Sequence, residues 1–170
     1  MMRRYISLAI ALCCFSFCWG AEISFQVVQH DDAVSEVREQ TLIIEDAILE
    51  YFFNNGDIVT NEPAVAATEK EADKIIKIAL SYAADGGAQY FVQLRLFYDE
   101  STPSDLTHVS LANLKRVSWA VADVATRKEI TEGKSKVPRA VSGKANADGV
   151  KEYAASIAAD IQKALTKKRR

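Results

Sequence analysis

From Ala88 to Tyr98 the chain alternates with a period of two. Tyr90, Val92, Leu94, Leu96 and Tyr98 fall on one side, and Gln89, Phe91, Gln93, Arg95 and Phe97 on the other. A helix would scatter these side chains around its circumference, so the stretch reads as one long strand whose first side meets a core. The segments around that strand decide the fold.

Ile23 to Gln29, with β-branched Ile and Val, predicts a first strand. Asp31-Asp32 offers an N-cap for a helix over Val34–Phe53, with Val34, Val37, Thr41, Ile44, Ile48 and Phe52 at helical spacing. Leu42, Leu49 and Phe53 widen that stripe and predict burial on more than one side. Asn54-Asn55-Gly56 ends it, Gly56 suiting a left-handed position. Asp57–Asn61 predicts a short strand stopped by Glu62-Pro63. Thr68-Glu69-Lys70-Glu71 is a capping box. It opens a helix to about Ala84, with Ala72, Ile75, Ile76, Ala79, Tyr82 and Ala83 inward and Asp85-Gly86-Gly87 as its stop.

After the long strand, Asp99–Leu106 reads as loop and Thr107–Val124 as a second extended stretch. Leu111 and Leu114, three apart, predict a bulge near Asn113 or a break between two strands. Ala125–Lys128 is a turn, Glu129–Val137 a polar edge strand ended by Pro138, and Arg139–Ala147 a loop. A last helix covers Asp148–Lys167, with Val150, Tyr153, Ala154, Ile157, Ala158, Ile161 and Leu165 as its stripe. The order β-α-β-α-β-β-β-α predicts an α+β fold, a mixed sheet packed by three helices.

Residues 1–20 have the layout of a secretory signal peptide: basic Arg3 and Arg4, an apolar run Ile6–Trp19, then Gly20. The run is shorter than the roughly 20 apolar residues that span a bilayer. Cleavage after Gly20 would leave residues 21–170 as a single exported domain beginning at Ala21. The 3 cysteines, Cys13, Cys14 and Cys18, all lie in the leader, so the body has neither disulfides nor cysteine metal sites. Export without disulfides, and without any Asn-x-Ser/Thr acceptor, suits a bacterial periplasm. The alternative is a lipoprotein anchored through one of those cysteines. A lipobox wants a small residue just before the cysteine, and Ile10-Ala11-Leu12-Cys13 is the nearest match; Cys14 and Cys18 fit less well. An uncleaved anchor is a third reading.

Without Arg3 and Arg4 the 21 basic residues become 19 against 23 acidic, a net charge of −4. That balance argues against nucleic-acid binding. Lys167-Lys168-Arg169-Arg170 is the one basic block and reads as a solvated helix end. Contact with an anionic surface is its other reading.

No residue pattern marks catalysis. His30 and His108 have no partner at i+3 or i+4. No serine sits in Gly-x-Ser-x-Gly or Ser-x-x-Lys. Gly86-Gly87 follows a helix instead of opening one and lacks a lysine, so it is no phosphate loop. Glu45-Asp46 and Glu69/Glu71 read as helix-surface and capping acids. Phe91, Phe97 and Arg95 would mark a partner surface if that sheet face stays open. No catalytic, cofactor-binding or metal residue is therefore assigned.

Two segments carry a family resemblance. Ala79-Leu80-Ser81-Tyr82-Ala83-Ala84-Asp85-Gly86-Gly87-Ala88-Gln89-Tyr90-Phe91-Val92 runs from a helix end through Gly-Ala into an aromatic strand. Val121-Ala122-Asp123-Val124-Ala125-Thr126-Arg127-Lys128-Glu129-Ile130 is a hairpin in which Asp123 and Thr126 can satisfy a tight turn. Together they resemble a bacterial envelope superfamily that includes the amino-terminal domain of TolB, the curli secretion channel CsgG and the penicillin-binding-protein activator LpoB. Arg127-Lys128 stands where that group usually has Gly, and Val92-Gln93-Leu94 lacks a glycine often found there. The resemblance implies a non-catalytic periplasmic module for envelope assembly, secretion or cell-wall regulation. Its partner would be another envelope protein, with no cofactor, no nucleic acid, and membrane contact only through a lipid anchor. Glu129–Val137 is the edge such a partner would use. The competing reading is a small periplasmic enzyme or ligand carrier whose site forms on folding, marked by a deep polar pocket joining His30 or His108 to carboxylates.

Overall fold

The computed structural model describes residues 20–138 and 147–168. Five strands and three helices follow one another as β1 (Glu22–His30), α1 (Glu39–Asn54), β2 (Ile58–Ala66), α2 (Glu69–Asp85), β3 (Tyr90–Tyr98), β4 (Leu114–Asp123), β5 (Lys128–Ser135) and α3 (Ala147–Lys168), with a single 3₁₀ turn at Leu111–Asn113. This is the predicted α+β order. The strands form one mixed sheet in the order β2-β1-β3-β4-β5. β1 pairs parallel with both β2 and β3; β3–β4 and β4–β5 are antiparallel.

One face of the sheet holds the main core. Ile23, Phe25 and Val27 of β1, Val92, Leu94 and Leu96 of β3, and Val117, Trp119 and Val121 of β4 meet α1 and α3 there. The predicted faces of β3 and the predicted stripe of α3 are both observed, with Val150, Ala154, Ile157, Ala158, Ile161 and Leu165 fully buried. Each such Leu or Ile contributes about 1.5–3 kcal/mol. Across the sheet α2 makes a smaller cluster, Ala79, Leu80 and Ala83 over Phe91 and Val124. Helices thus cover both faces.

Several boundaries differ from expectation. α1 begins at Glu39, five residues after Val34, because Asp31 accepts the Ala33 N–H at 2.8 Å and closes a turn instead of capping a helix. Leu42 and Phe53 do not widen a buried stripe; both are exposed. β2 runs through Pro63 to Ala66 instead of stopping at Asn61. Proline is tolerated because β2 is an edge, and because the register steps from Gln26↔Glu62 to Val28↔Val65, leaving an extra residue on β2 at that point. On α2, Tyr82 points outward and Leu80 is buried in its stead. β3 starts at Tyr90, since Gly87 at φ 79° and Ala88 are still turning the chain out of α2. The stretch after the loop is a strand only from Leu114, the 3₁₀ turn supplying the predicted break, and β5 ends at Ser135. The predicted loop at 139–146 lies outside the described residues.

Candidate functional site

The carboxyl end of β1 is the most polar buried region of the described chain. Arg38 is fully buried at 0% exposure. Its Nε pairs with the buried Asp31 carboxylate, and its Nη1 donates to the carbonyls of Pro103 at 2.7 Å and Asp105 at 3.2 Å. Gln29 Oε1 accepts the Arg38 backbone N–H at 2.9 Å and the Thr41 hydroxyl at 2.7 Å. One guanidinium thereby ties the segment entering α1 to the loop after β3. The arginine also sits 5.2 Å from the Tyr98 ring centre.

On the other face, a ladder crosses three strands. His30 stacks on Phe97 with centroids 4.5 Å apart, and the Arg116 guanidinium lies 3.7 Å over the same ring. Arg116 then reaches Glu69 of α2 at 3.0 Å. His30 Nδ1 donates to the Ala67 carbonyl at 2.6 Å, which leaves Nε2 buried as an acceptor without a hydrogen bond. Burial pushes the imidazole below its usual pKa and holds it neutral at pH 7.

His30, Asp31, Glu69, Phe97 and Arg116 border an open cleft of about 750 Å³ lined by the segments following β1 and β2. It lies beyond the carboxyl ends of two strands whose connections leave toward opposite faces, a position where α/β sheets often bind ligands. Its charges are largely engaged with one another: Asp31 with Arg38, Glu69 with Arg116, Glu100 with Lys115, and Glu71 with the Thr68 N–H at 2.9 Å. His108 does not line this cleft; it contacts Asn113 beside the 3₁₀ turn. Folding does not bring the two histidines together there. No group of three or more His, Cys, Asp or Glu able to hold a metal occurs among the described residues.

A second surface surrounds β2. The exposed large apolar side chains among the described residues are Leu42, Phe53, Ile58, Ile78 and Tyr82. Glu45 on α1 is hydrogen-bonded by the Asn61 side chain and the Ala64 N–H of β2, so this line of the helix overlies that strand. Leu42, Leu49 and Phe53 stand three before, four after and eight after Glu45, on the adjoining flank. On α2, Leu80 and Ile76 turn toward Phe91 and Val124. Ile78 and Tyr82 lie on the exposed side of α2, away from that cluster. The outer edge of β2 is thus flanked by the exposed apolar residues of α1. β5, the other edge, carries Lys128, Glu129, Glu132 and Lys134, charges that discourage strand addition. Of the residues marked as a partner surface on the second face, Phe91 is buried under α2, Arg95 donates to Gln93 and Phe97 lies in the His30–Arg116 stack.

Sequence reasoning missed Arg38, which falls within the expected Val34–Phe53 helix and carries no local signal of burial, and misplaced Phe53, whose i, i+7, i+11 relation to Leu42 and Leu49 was the available signal. Of the processing residues, Gly20 abuts the Gly56–Asp57 turn and Ala21 is buried at the head of the sheet. Cys13, Cys14 and Cys18 lie outside the described residues, as do Arg169 and Arg170. No helix of the described residues is long and apolar enough to cross a membrane.

A search of curated proteins finds no match. Among solved structures, the chain is similar to a point variant of the PelC dodecamer from Paraburkholderia phytofirmans (11% identity, 83% of this chain and 87% of that one, TM-score 0.45). It is similar to TolB from Acinetobacter baumannii (17% identity, 88% of this chain but 29% of that one, TM-score 0.46). It is also similar to the LpoB C-terminal domain from Salmonella enterica (13% identity, 76% and 93%, TM-score 0.40). One family model, described as "Uncharacterised protein", matches residues 22–166, from the first residue of β1 into the last turns of α3, and the chain belongs to that family.

Proposed function

We propose that this chain is a non-catalytic, exported envelope protein that binds another protein by strand addition to β2. The carrying observation is the Ile58–Glu62 stretch of the β2 edge, ahead of Pro63 and the bulge, flanked by Phe53, 73% exposed, and beginning at Ile58, 60% exposed. An extended segment laid along that edge would take its hydrogen bonds from the β2 backbone. Side chains on one of its faces would fall on the Leu42–Phe53 flank of α1. Apolar patches of this kind mark interaction sites on soluble domains. The His30 cleft, which joins a histidine to carboxylates, is the feature on the side of the enzyme or ligand-carrier alternative; within it Asp31 is tied to Arg38 and His30 Nδ1 to the Ala67 carbonyl, which supports a structural role for both. The leader-like residues 1–20 support export, with cleavage before Ala21.

A photo-crosslinking residue placed at Phe53 or Thr60, with Glu132 on β5 as control, tests the proposal in intact cells. A discrete protein adduct at the first two positions and none at the third is expected. Adducts at Glu132 alone, or none at Phe53 and Thr60, would refute it. Phe53→Asp should remove the adduct at Thr60 and leave the melting temperature within about 2 °C, since surface changes of this kind cost under about 0.5 kcal/mol.

A further inference from the structure

We infer that Asp57 is a receptor for the chain's own amino terminus, completed when the peptide bond between Gly20 and Ala21 is hydrolysed. The inference rests on the export reading above and adds to it a structural role for processing.

Ala21 is buried at 1% exposure, and its backbone nitrogen donates to Asp57 Oδ1 at 2.8 Å. Asp57 is itself buried at 5%. Its own N–H is held by the Phe52 carbonyl at 3.1 Å, and the Ala21 carbonyl accepts the Ile58 N–H at 2.8 Å. The donor and acceptor are therefore fixed by backbone on both sides: one at the head of β1, the other in the turn between α1 and β2. Gly20 is pressed into the same turn, where a Cβ would fall 1.8 Å from the Gly56 carbonyl oxygen. A chain that keeps residue 20 can carry nothing larger than glycine there without displacing backbone.

Hydrolysis by the exporting cell's signal peptidase consumes one water. The new carboxylate stays on Gly20 of the released leader, and the Ala21 nitrogen becomes a primary amine that binds a proton at neutral pH. The nitrogen that donates to Asp57 as a neutral amide then carries a full positive charge. A buried carboxylate gains most from a charged donor at hydrogen-bond distance, and the geometry for it already exists in the fold. The product is an ammonium–carboxylate staple between β1 and the α1–β2 turn.

The test compares the exported protein, its start read by intact mass, with a chain made without export that retains Gly20 and a short extension before it. Each is made with and without Asp57→Asn. The exported form should begin at Ala21 and, at pH 6, melt about 3 °C or more above the extended form. An amine whose pKa folding raises stabilises fully below its unfolded value and loses that stabilisation as pH rises through the folded value. The difference should therefore shrink above pH 8, and Asp57→Asn should abolish it. Gly20→Ala should leave the exported protein unchanged in mass and melting while lowering the melting of the extended form. A confirmed Ala21 start with no difference, a difference independent of pH, or one that survives Asp57→Asn overturns the receptor and leaves the export reading standing. A natural start elsewhere, such as a lipid-modified Cys13, Cys14 or Cys18, overturns cleavage after Gly20 and the receptor together.

Discussion

Arg38→Met should be among the most damaging single substitutions outside the apolar core. The wild-type guanidinium has no solvent exposure, and its partner Asp31 has a side chain 2% exposed. Methionine replaces the aliphatic stem and removes the charge. It leaves the Asp31 carboxylate buried without its cation and the Pro103 and Asp105 carbonyls without that donor. Breaking a buried pair from one side costs about 3–5 kcal/mol. For a domain of this length each kcal/mol lowers the melting temperature by about 2–4 °C, so a loss of about 10 °C is expected. Urea unfolding at pH 7 measures it, with an unchanged slope showing that the loss is in stability. The decisive variant is the pair Arg38→Met with Asp31→Asn. If the damage comes from the stranded carboxylate, neutralising it should restore about 1 kcal/mol or more. A single-variant loss under about 1 kcal/mol, or no recovery in the double variant, would refute this account of the segment before α1.

Arg127 adopts φ 55° in the turn between β4 and β5, a conformation that costs an ordinary side chain about 1 kcal/mol. Arg127→Gly should raise stability by about that amount in thermal melts, and a decrease would show that contacts of the arginine side chain outweigh the backbone cost. His30 is held neutral by burial, so the unfolded chain binds its proton more readily. Stability should therefore fall as pH drops from 7 through about 6.5 and below, and His30→Gln should flatten that part of the profile measured by chemical denaturation. An unchanged slope between pH 7 and 5 in the variant would assign the dependence to another group.

Where one local rule acted alone, the sequence was readable. The stripe of α3, the two faces of β3 and the Gly56 stop depend on periodicity or on one residue's conformational freedom, and all three are observed. So is the turn after β4, where Asp123 Oδ1 accepts both the N–H and the hydroxyl of Thr126 at 2.7 Å. The Thr68 box holds through Glu71, whose carboxylate takes both the N–H and the hydroxyl of Thr68. Reading failed where a residue had two competing local uses. Asp31 could cap a helix or close a turn, and the buried Arg38 decided for the turn. Pro63 stops a central strand but not an edge one, and edge position is a property of the whole sheet. Leu42, Leu49 and Phe53 have the spacing of a second apolar flank, but spacing cannot say whether the fold or a partner covers it. The candidate surface was therefore visible as a pattern while its location was not. The cleft at His30 was invisible for a related reason, since its walls come from Ala67, Phe97 and Arg116, far apart in sequence.

The parallel placement of β1 between β2 and β3 also sets an order of events for a chain that emerges from its amino end. Glu22 begins the strand made first, yet its neighbours on the two sides start at Ile58 and Tyr90. Neither edge of β1 can be satisfied by a local hairpin, and loop closure must precede any gain from pairing. The leading segment therefore has no strand partner until β2 has followed it, and gains its second only with β3. On the export reading proposed above, that delay would keep the leading segment free for passage through a membrane.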